Sequence, residues 1–181
     1  MTPYAGDPST IKVEWSDPVS TNGEDVSSYR VYIDNGRGGP FTMVYEATEY
    51  PSNFEYIAGL NESLDCGYLY MVRVSAVNVA GEGPYIADSV HLGNVPSNPK
   101  SPMMLSVVPD VELVLSWERP FTDGCLPITQ YVLNKDGVDL ADVINPAENT
   151  FTDDLTVGGS TGTEIKYKVK AKNVNGFSEY S

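Results

Sequence analysis

Histidine, cysteine and cations are scarce in this sequence. Among 181 residues there is one histidine, His91, and two cysteines, Cys66 and Cys125. A histidine-rich metal centre, a four-cysteine zinc site and a disulfide-dense scaffold are thereby excluded. Lysine and arginine number 11 against 25 aspartates and glutamates, a formal net charge of −14. Nucleic acid needs clustered cations and an anionic membrane attracts polybasic segments, so neither partner fits. No apolar run approaches the roughly 18 residues of a membrane helix. The first residues have neither the basic start nor the apolar core of a signal peptide. There is no phosphate loop, dinucleotide fingerprint or Gly-x-Ser-x-Gly elbow, and a lone histidine beside the mid-chain prolines offers no hydrolase triad. The expectation is a segment with no enzymatic activity, cofactor or metal. The acidic pairs Glu24-Asp25 and Asp153-Asp154 read as solvated loop charges rather than calcium ligands.

What is present is turns and a repeat. Glycine (16) and proline (13) are frequent for a helical protein and ordinary for short strands. Trp15-Ser16-Asp17-Pro18 recurs as Trp117-Glu118-Arg119-Pro120, and Tyr29 as Tyr131, all at an offset of 102. Ala76-Val77-Asn78-Val79-Ala80-Gly81 recurs as Ala171-Lys172-Asn173-Val174-Asn175-Gly176 at an offset of 95, so the second copy is shorter in its middle. Each copy alternates apolar and polar residues with the period of a half-buried strand. Ile11, Val13 and Trp15 form one such face. Val111, Leu113, Leu115 and Trp117 form its counterpart. Tyr29, Val31 and Ile33 match Tyr131 and Leu133, and Tyr70, Val72, Val74 and Ala76 match Ile165, Tyr167, Val169 and Ala171. Asp34-Asn35-Gly36, Gly38-Gly39-Pro40 and Asp136-Gly137 mark turns, the last a two-residue hairpin. No stretch keeps a helical period. The fold class expected is all-β, two tandem antiparallel sandwiches.

The pattern resembles the fibronectin type III family: an early Trp followed by Pro (Trp15, Pro18; Trp117, Pro120), a third-strand Tyr (Tyr29; Tyr131), and a late run through Ala-x-Asn-x-x-Gly (Tyr70 to Gly81; Ile165 to Gly176). The resemblance covers nearly the whole chain. It implies seven strands per copy, with Trp15, Tyr29, Tyr70, Trp117, Tyr131 and Tyr167 as core markers. Copy two departs where Ile165 replaces the Tyr of the corner between the fifth and sixth strands, which removes a hydrogen bond worth about 1 kcal/mol. The expected domains are 1–93, with its first strand truncated, and 94–181, lacking most of its last strand. The boundary falls near the linker Pro96-Ser97-Asn98-Pro99. Such a window reads as part of a longer array, or else as an edge beside 165–173 completed by a strand from a neighbouring chain.

The family's strand order puts Cys66 at one pole of the first domain and Cys125 at the facing pole of the second. An interdomain disulfide Cys66–Cys125 is therefore expected, and closing so long a loop is worth about 4 kcal/mol on the chain-entropy model. It would stiffen a rod and implies an oxidising compartment, outside the cell or at its surface. Two unpaired or separately paired thiols are the alternative, should domain tilt separate them. Asn61-Glu62-Ser63 is a glycosylation sequon that fits the same setting. Three surface features are candidates for binding. Asp34-Asn35-Gly36-Arg37-Gly38-Gly39 is a Gly-rich tip, read as flexible, that accounts for part of copy one's extra length. Lys166, Lys168, Lys170 and Lys172 form a stripe suited to an acidic neighbouring subunit or to guarding an exposed strand. Phe177-Ser178-Glu179-Tyr180-Ser181 resembles the Trp-Ser-x-Trp-Ser box of cytokine receptors, with other aromatics in place of both Trp.

The function expected is a non-catalytic structural or adhesive segment of an extracellular tandem-repeat protein, forming a rod, fibre or appendage. Its partners would be other domains or copies of the same protein. The alternatives are a ligand-binding ectodomain of a receptor or adhesion protein, and a spacer in a secreted enzyme.

Overall fold

The computed structural model describes residues 2–3, 9–47, 54–140, 144–156 and 164–181. It divides into two compact units, Met1–Gly93 and Asn94–Ser181. Among the described residues there is no helix.

Unit one contains β1 (Thr2–Pro3), β2 (Ile11–Glu14), β3 (Ser28–Ile33), β4 (Thr42–Glu46), β5 (Glu55–Ala58), β6 (Leu69–Asn78) and β7 (Gly81–His91). Its sheets run β1-β2-β5 and β4-β3-β6-β7, with every neighbouring pair antiparallel. The inward residues of both sheets close one core: Ile11, Val13 and Ala58 from the first, Tyr29, Val31, Ile33, Val72 and Val74 from the second. Burying such side chains is worth about 1.5–3 kcal/mol each. Leu92 is fully buried and exchanges main-chain bonds with Gly67 and Tyr68, so the unit's hydrogen bonding runs to its last residues.

Unit two contains β8 (Met103–Val108), β9 (Glu112–Ser116), β10 (Gln130–Lys135), β11 (Val138–Asp139), β12 (Thr150–Asp154), β13 (Tyr167–Asn173) and β14 (Gly176–Phe177). Its sheets are β8-β9-β12 and β11-β10-β13-β14. Leu115, Trp117, Tyr131, Leu133, Ile144, Val169 and Ala171 form its core. The proline-rich stretch at its start belongs to this unit: Asn94 and Ser97 donate main-chain bonds to Gly124 and Thr122, and Pro99 is fully buried.

Most of the length difference between the copies lies in one connection. β3 and β4 are joined by residues 34–41, β10 and β11 by 136–137 alone. Val111 departs from the expected inward face and is 49% exposed. It closes a tight turn after β8, its N–H bonded to Val108 O at 3.0 Å, with Asp110 at φ +57°, so the strand begins at Glu112 and its inward face at Leu113. β14 is two residues long. Beyond it Ser178 and Ser181 still bond main chain to main chain with Ala171 and Val169, so the chain's own tail lies beside β13.

Candidate functional site

The core markers hold equivalent places. The Trp15 and Tyr29 rings lie 5.8 Å apart, and those of Trp117 and Tyr131 5.5 Å apart. Tyr70 makes the corner of unit one. Its hydroxyl accepts from Asp65 N at 2.9 Å and donates to Asp65 O at 3.2 Å.

Tyr167 differs from a plain core marker. Its hydroxyl donates to Asp153 Oδ2, which also receives Lys135 Nζ at 2.6 Å. Burial, then the Asp153 carboxylate, pushes the Tyr167 phenol well above its usual range. Asp153 is therefore no solvated loop charge: strand alternation turns it inward from β12 opposite Leu113. At the repeat offsets, Lys135, Asp153 and Tyr167 match Ile33, Ala58 and Val72. A polar triad has replaced three apolar residues of the core of unit one.

The asparagines of the two Ala-x-Asn motifs are functional in the fold, a role the sequence reading missed. Asn173 is fully buried; its amide donates to Asn94 O at 2.7 Å and Asp123 O at 2.9 Å. Its Oδ1 accepts from Asn175 N and Gly176 N. Asn78 likewise donates to Thr21 O at 3.2 Å and accepts from Ala80 N. Thr21 and Asp123 are equivalent positions, so each asparagine ties the late turn to the loop after the Trp strand. Its recurrence at the repeat offset was the available signal.

Cys66 is half-buried against the core of unit one, in the connection between β5 and β6. Cys125 is exposed, at φ +67°, after Gly124 at φ +75°. A Cβ at Gly124 would lie 2.1 Å from Asn94 O, so only glycine fits there. Asp123 Oδ1 caps the turn by accepting Cys125 N–H at 2.9 Å. Neither cysteine is free, and both are disulfide-bonded. Asn61 is exposed, and the neighbouring Glu62 is held by Tyr56 Oη at 2.6 Å and Gly59 N at 2.7 Å.

The lysine stripe is only partly open. Lys166 and Lys168 are exposed, whereas the Lys170 side chain retains 17% exposure. Its Nζ lies 2.7 Å from Asp139 Oδ2 and 2.8 Å from Tyr180 Oη, between the rings of Phe177 and Tyr180. Lys172 sits 4.9 Å from the Phe177 ring centroid. Ser178 Oγ and Ser181 Oγ accept from Ala171 N and Val169 N. The five-residue tail is thus bound to β13, its rings against Lys170 and Lys172 and its serine hydroxyls on the main chain. Bonds from Asn134, Lys170 and Tyr180 hold the Asp139 carboxyl down at about 2.

The Gly-rich tip is fixed rather than flexible. Asp34 is buried and accepts from Gly36 N, Gly38 N and Met71 N, and Asn35 Oδ1 accepts from Arg37 N and Gly39 N. Arg37 donates to Tyr68 Oη at 2.6 Å, so its guanidinium is engaged within its own unit. Along β8, Met103, Met104, Leu105, Val107 and Val108 are all exposed, and Met104 and Val107 line a cleft with Leu113, Leu115 and Tyr167. Sequence reading passed over this run because it has no alternation.

Among the described residues no group of three or more His, Cys, Asp or Glu side chains could hold a metal ion, and no helix is long and apolar enough to cross a membrane. No family model matches the chain. It is 30% identical over 99% of its length to a titin homolog of Caenorhabditis elegans, of which it spans 1%. It is 30% identical over 96% of its length to neogenin of Mus musculus, spanning 11% of that protein. It is 27% identical over 94% of its length to fibronectin type-III domain-containing protein 3A of Mus musculus, spanning 14%. With the doubled Trp, Tyr and Ala-x-Asn-x-x-Gly motifs each in its place in a sandwich of one three-stranded and one four-stranded sheet, the chain belongs to the fibronectin type III family.

Proposed function

We propose that the chain is a non-catalytic structural and adhesive segment of a tandem array, residues 1–93 and 94–181 being successive domains, and that it works outside the cell or at its surface. The observation that carries this reading is the state of the two cysteines. The sequence has only two, and neither is free. The pairing proposed is Cys66–Cys125, one from each unit, which limits bending at the junction. A structural disulfide fits an oxidising compartment. Glycosylation at the exposed Asn61 belongs to the same setting. The exposed apolar residues of β8 support contacts with other domains or copies, since exposed apolar patches mark interaction surfaces. Lys166 and Lys168 offer charge complementarity to an acidic neighbour in a chain of net charge −14.

The test is small-angle scattering of the 181-residue chain before and after reduction, with a Cys66→Ser/Cys125→Ser variant beside it. The expected result is a narrow distance distribution in the oxidised chain that broadens on reduction and in the variant, while each unit keeps its own melting transition. Identical profiles in all three samples would overturn the reading.

A further inference from the structure

Five sequences in the chain place glycine directly after asparagine or aspartate: Asn22-Gly23, Asn35-Gly36, Asp123-Gly124, Asp136-Gly137 and Asn175-Gly176. In this setting the glycine amide nitrogen can attack the side-chain carbonyl carbon before it, because glycine has no side chain to hinder the approach. Four of the five glycine N–H groups already donate to a side-chain acceptor. Gly36 N donates to Asp34 Oδ1 at 3.1 Å, Gly124 N to Thr122 Oγ1 at 3.1 Å, Gly137 N to Asn134 Oδ1 at 2.9 Å and Gly176 N to Asn173 Oδ1 at 3.2 Å. Gly23 N has no partner among the described residues. Its surroundings are open as well. A Cβ at Gly23 would meet nothing within 4 Å, whereas at Gly36, Gly124 and Gly176 it would meet Tyr68, Asn94 and Val95 at 2.9, 2.1 and 3.3 Å. Asn22 and Gly23 are exposed, at φ +58° and +93°, in the turn that Glu24 N closes onto Thr21 O at 3.5 Å. Ser20 Oγ lies 3.2 Å from Asn22 N and 3.4 Å from Asn22 Oδ1. The Asn35 carboxamide by contrast is clamped, its Oδ1 accepting from Arg37 N and Gly39 N at 3.0 Å each.

We propose that Asn22 is a self-modification site, its carboxamide converted to a carboxylate through the neighbouring main chain. Gly23 N gives its proton to solvent base and bonds to Asn22 Cγ. The Cγ–Nδ2 bond breaks, Nδ2 takes up a proton and leaves as ammonia, and a cyclic imide remains. Water then opens the ring. Addition at Cγ leaves aspartate; addition at the Asn22 main-chain carbonyl carbon leaves isoaspartate, with the chain running through the former side chain. Nothing is oxidised or reduced. Charge develops on Asn22 Oδ1 in the first step, where the Ser20 hydroxyl stands to donate. At Asn35 and Asn175 the glycine N–H must first leave its acceptor, which slows the same attack. Isoaspartate lengthens the main chain inside the Thr21–Glu24 turn, and either product adds a negative charge beside Glu24 and Asp25. Thr21 O is the acceptor for Asn78 Nδ2 at 3.2 Å, so the altered turn loosens the tie of that loop to the end of β6. The equivalent tie in unit two, Asn173 to Asp123 O, lies beside Gly124 and Gly176, whose N–H groups are both held.

The test is incubation of the 181-residue chain at mildly alkaline pH, followed by peptide mapping in the mass spectrometer and by labelling with a methyltransferase specific for isoaspartate. Expected is conversion at Asn22 at least about fivefold faster than at Asn35 or Asn175. In denaturant the three rates should converge, since the bonds that hold Gly36 N and Gly176 N are then gone. As isoaspartate accumulates, the melting temperature of unit one should fall by about 4 °C. That of an Asn22→Gln variant treated alike should not drift from its own starting value. Equal rates at the three asparagines in the folded chain, or faster conversion at Asn35 or Asn175, would overturn the assignment of the site. Conversion at Asn22 with no change in the melting of unit one would overturn the loosening of the tie.

Discussion

Asp153 in β12 takes the place in unit two that Ala58 takes in β5 of unit one: Leu113 pairs with Asp153 as Ile11 pairs with Ala58. Lys135 and Tyr167 follow suit, pairing with each other as Ile33 pairs with Val72. The substitution is concerted, since each polar group satisfies another. A buried ion pair rarely stabilises more than the apolar residues it replaces. Unit two is therefore expected to melt before unit one. Each unit has one tryptophan, Trp15 or Trp117, so Trp→Phe variants at either site report the two transitions separately by fluorescence. Coincident transitions, or unit one melting first, would contradict this.

The triad also predicts a non-additive cycle. Asp153→Ala alone leaves Lys135 without its carboxylate and should cost about 2 kcal/mol, less than for a fully buried pair because the Lys135 side chain keeps 26% exposure. The triple variant Lys135→Ile, Asp153→Ala, Tyr167→Val restores the residues of unit one. It should be at least as stable as the parent, by up to about 2 kcal/mol. Denaturant midpoints of unit two read both values. Additive losses across the three positions would show that the groups do not act together.

The two asparagines differ in burial and should differ in cost. Asn173→Ala strands the carbonyls of Asn94 and Asp123 in a fully buried site and should lose about 3 kcal/mol. Asn78→Ala removes a more exposed tie in unit one and should lose about 1 kcal/mol. Equal losses in thermal denaturation would count against the tying role assigned to Asn173.

Acid should weaken unit two through Asp139. Its carboxyl, bonded by Asn134, Lys170 and Tyr180, titrates at about 2 in the fold against an ordinary 3.8. A depressed carboxylate contributes stability that is complete above the unfolded value and is lost as pH falls through the folded one. The loss should fall between about pH 4 and pH 2. Asp139→Asn should flatten that slope and free the Tyr180 end of the tail, seen as faster exchange of the Ser181 amide. An unchanged acid limb in the variant would contradict the assignment.

The sandwich was legible in the sequence because period-two alternation and a doubled motif are both written along the chain. Trp15, Tyr29, Tyr131 and Val169 needed no structure to be placed in a core. The triad was not legible, because Asp153 looks like any loop acid until its pairing with Leu113 turns it inward. Lys170 read as a free surface cation for a related reason: the tail aromatics that cover it lie in a segment with no strand pattern. The fixed shape of the 34–39 tip depends on the Asp34 carboxylate reaching Met71 N, a contact between neighbouring strands that are far apart in sequence. That Tyr131 lacks the carboxylate partner of Tyr29 emerged only by comparing the two copies position by position, where Asp17 and Arg119 stand for opposite charges.

The most direct test of the stapled array is a peptide map of the unreduced protein by mass spectrometry. The peptides holding Cys66 and Cys125 should run as one linked mass that separates on reduction. Full alkylation of both cysteines without reductant, or a chain dimer linked through either one, would contradict the Cys66–Cys125 pairing and the stiffened junction built on it.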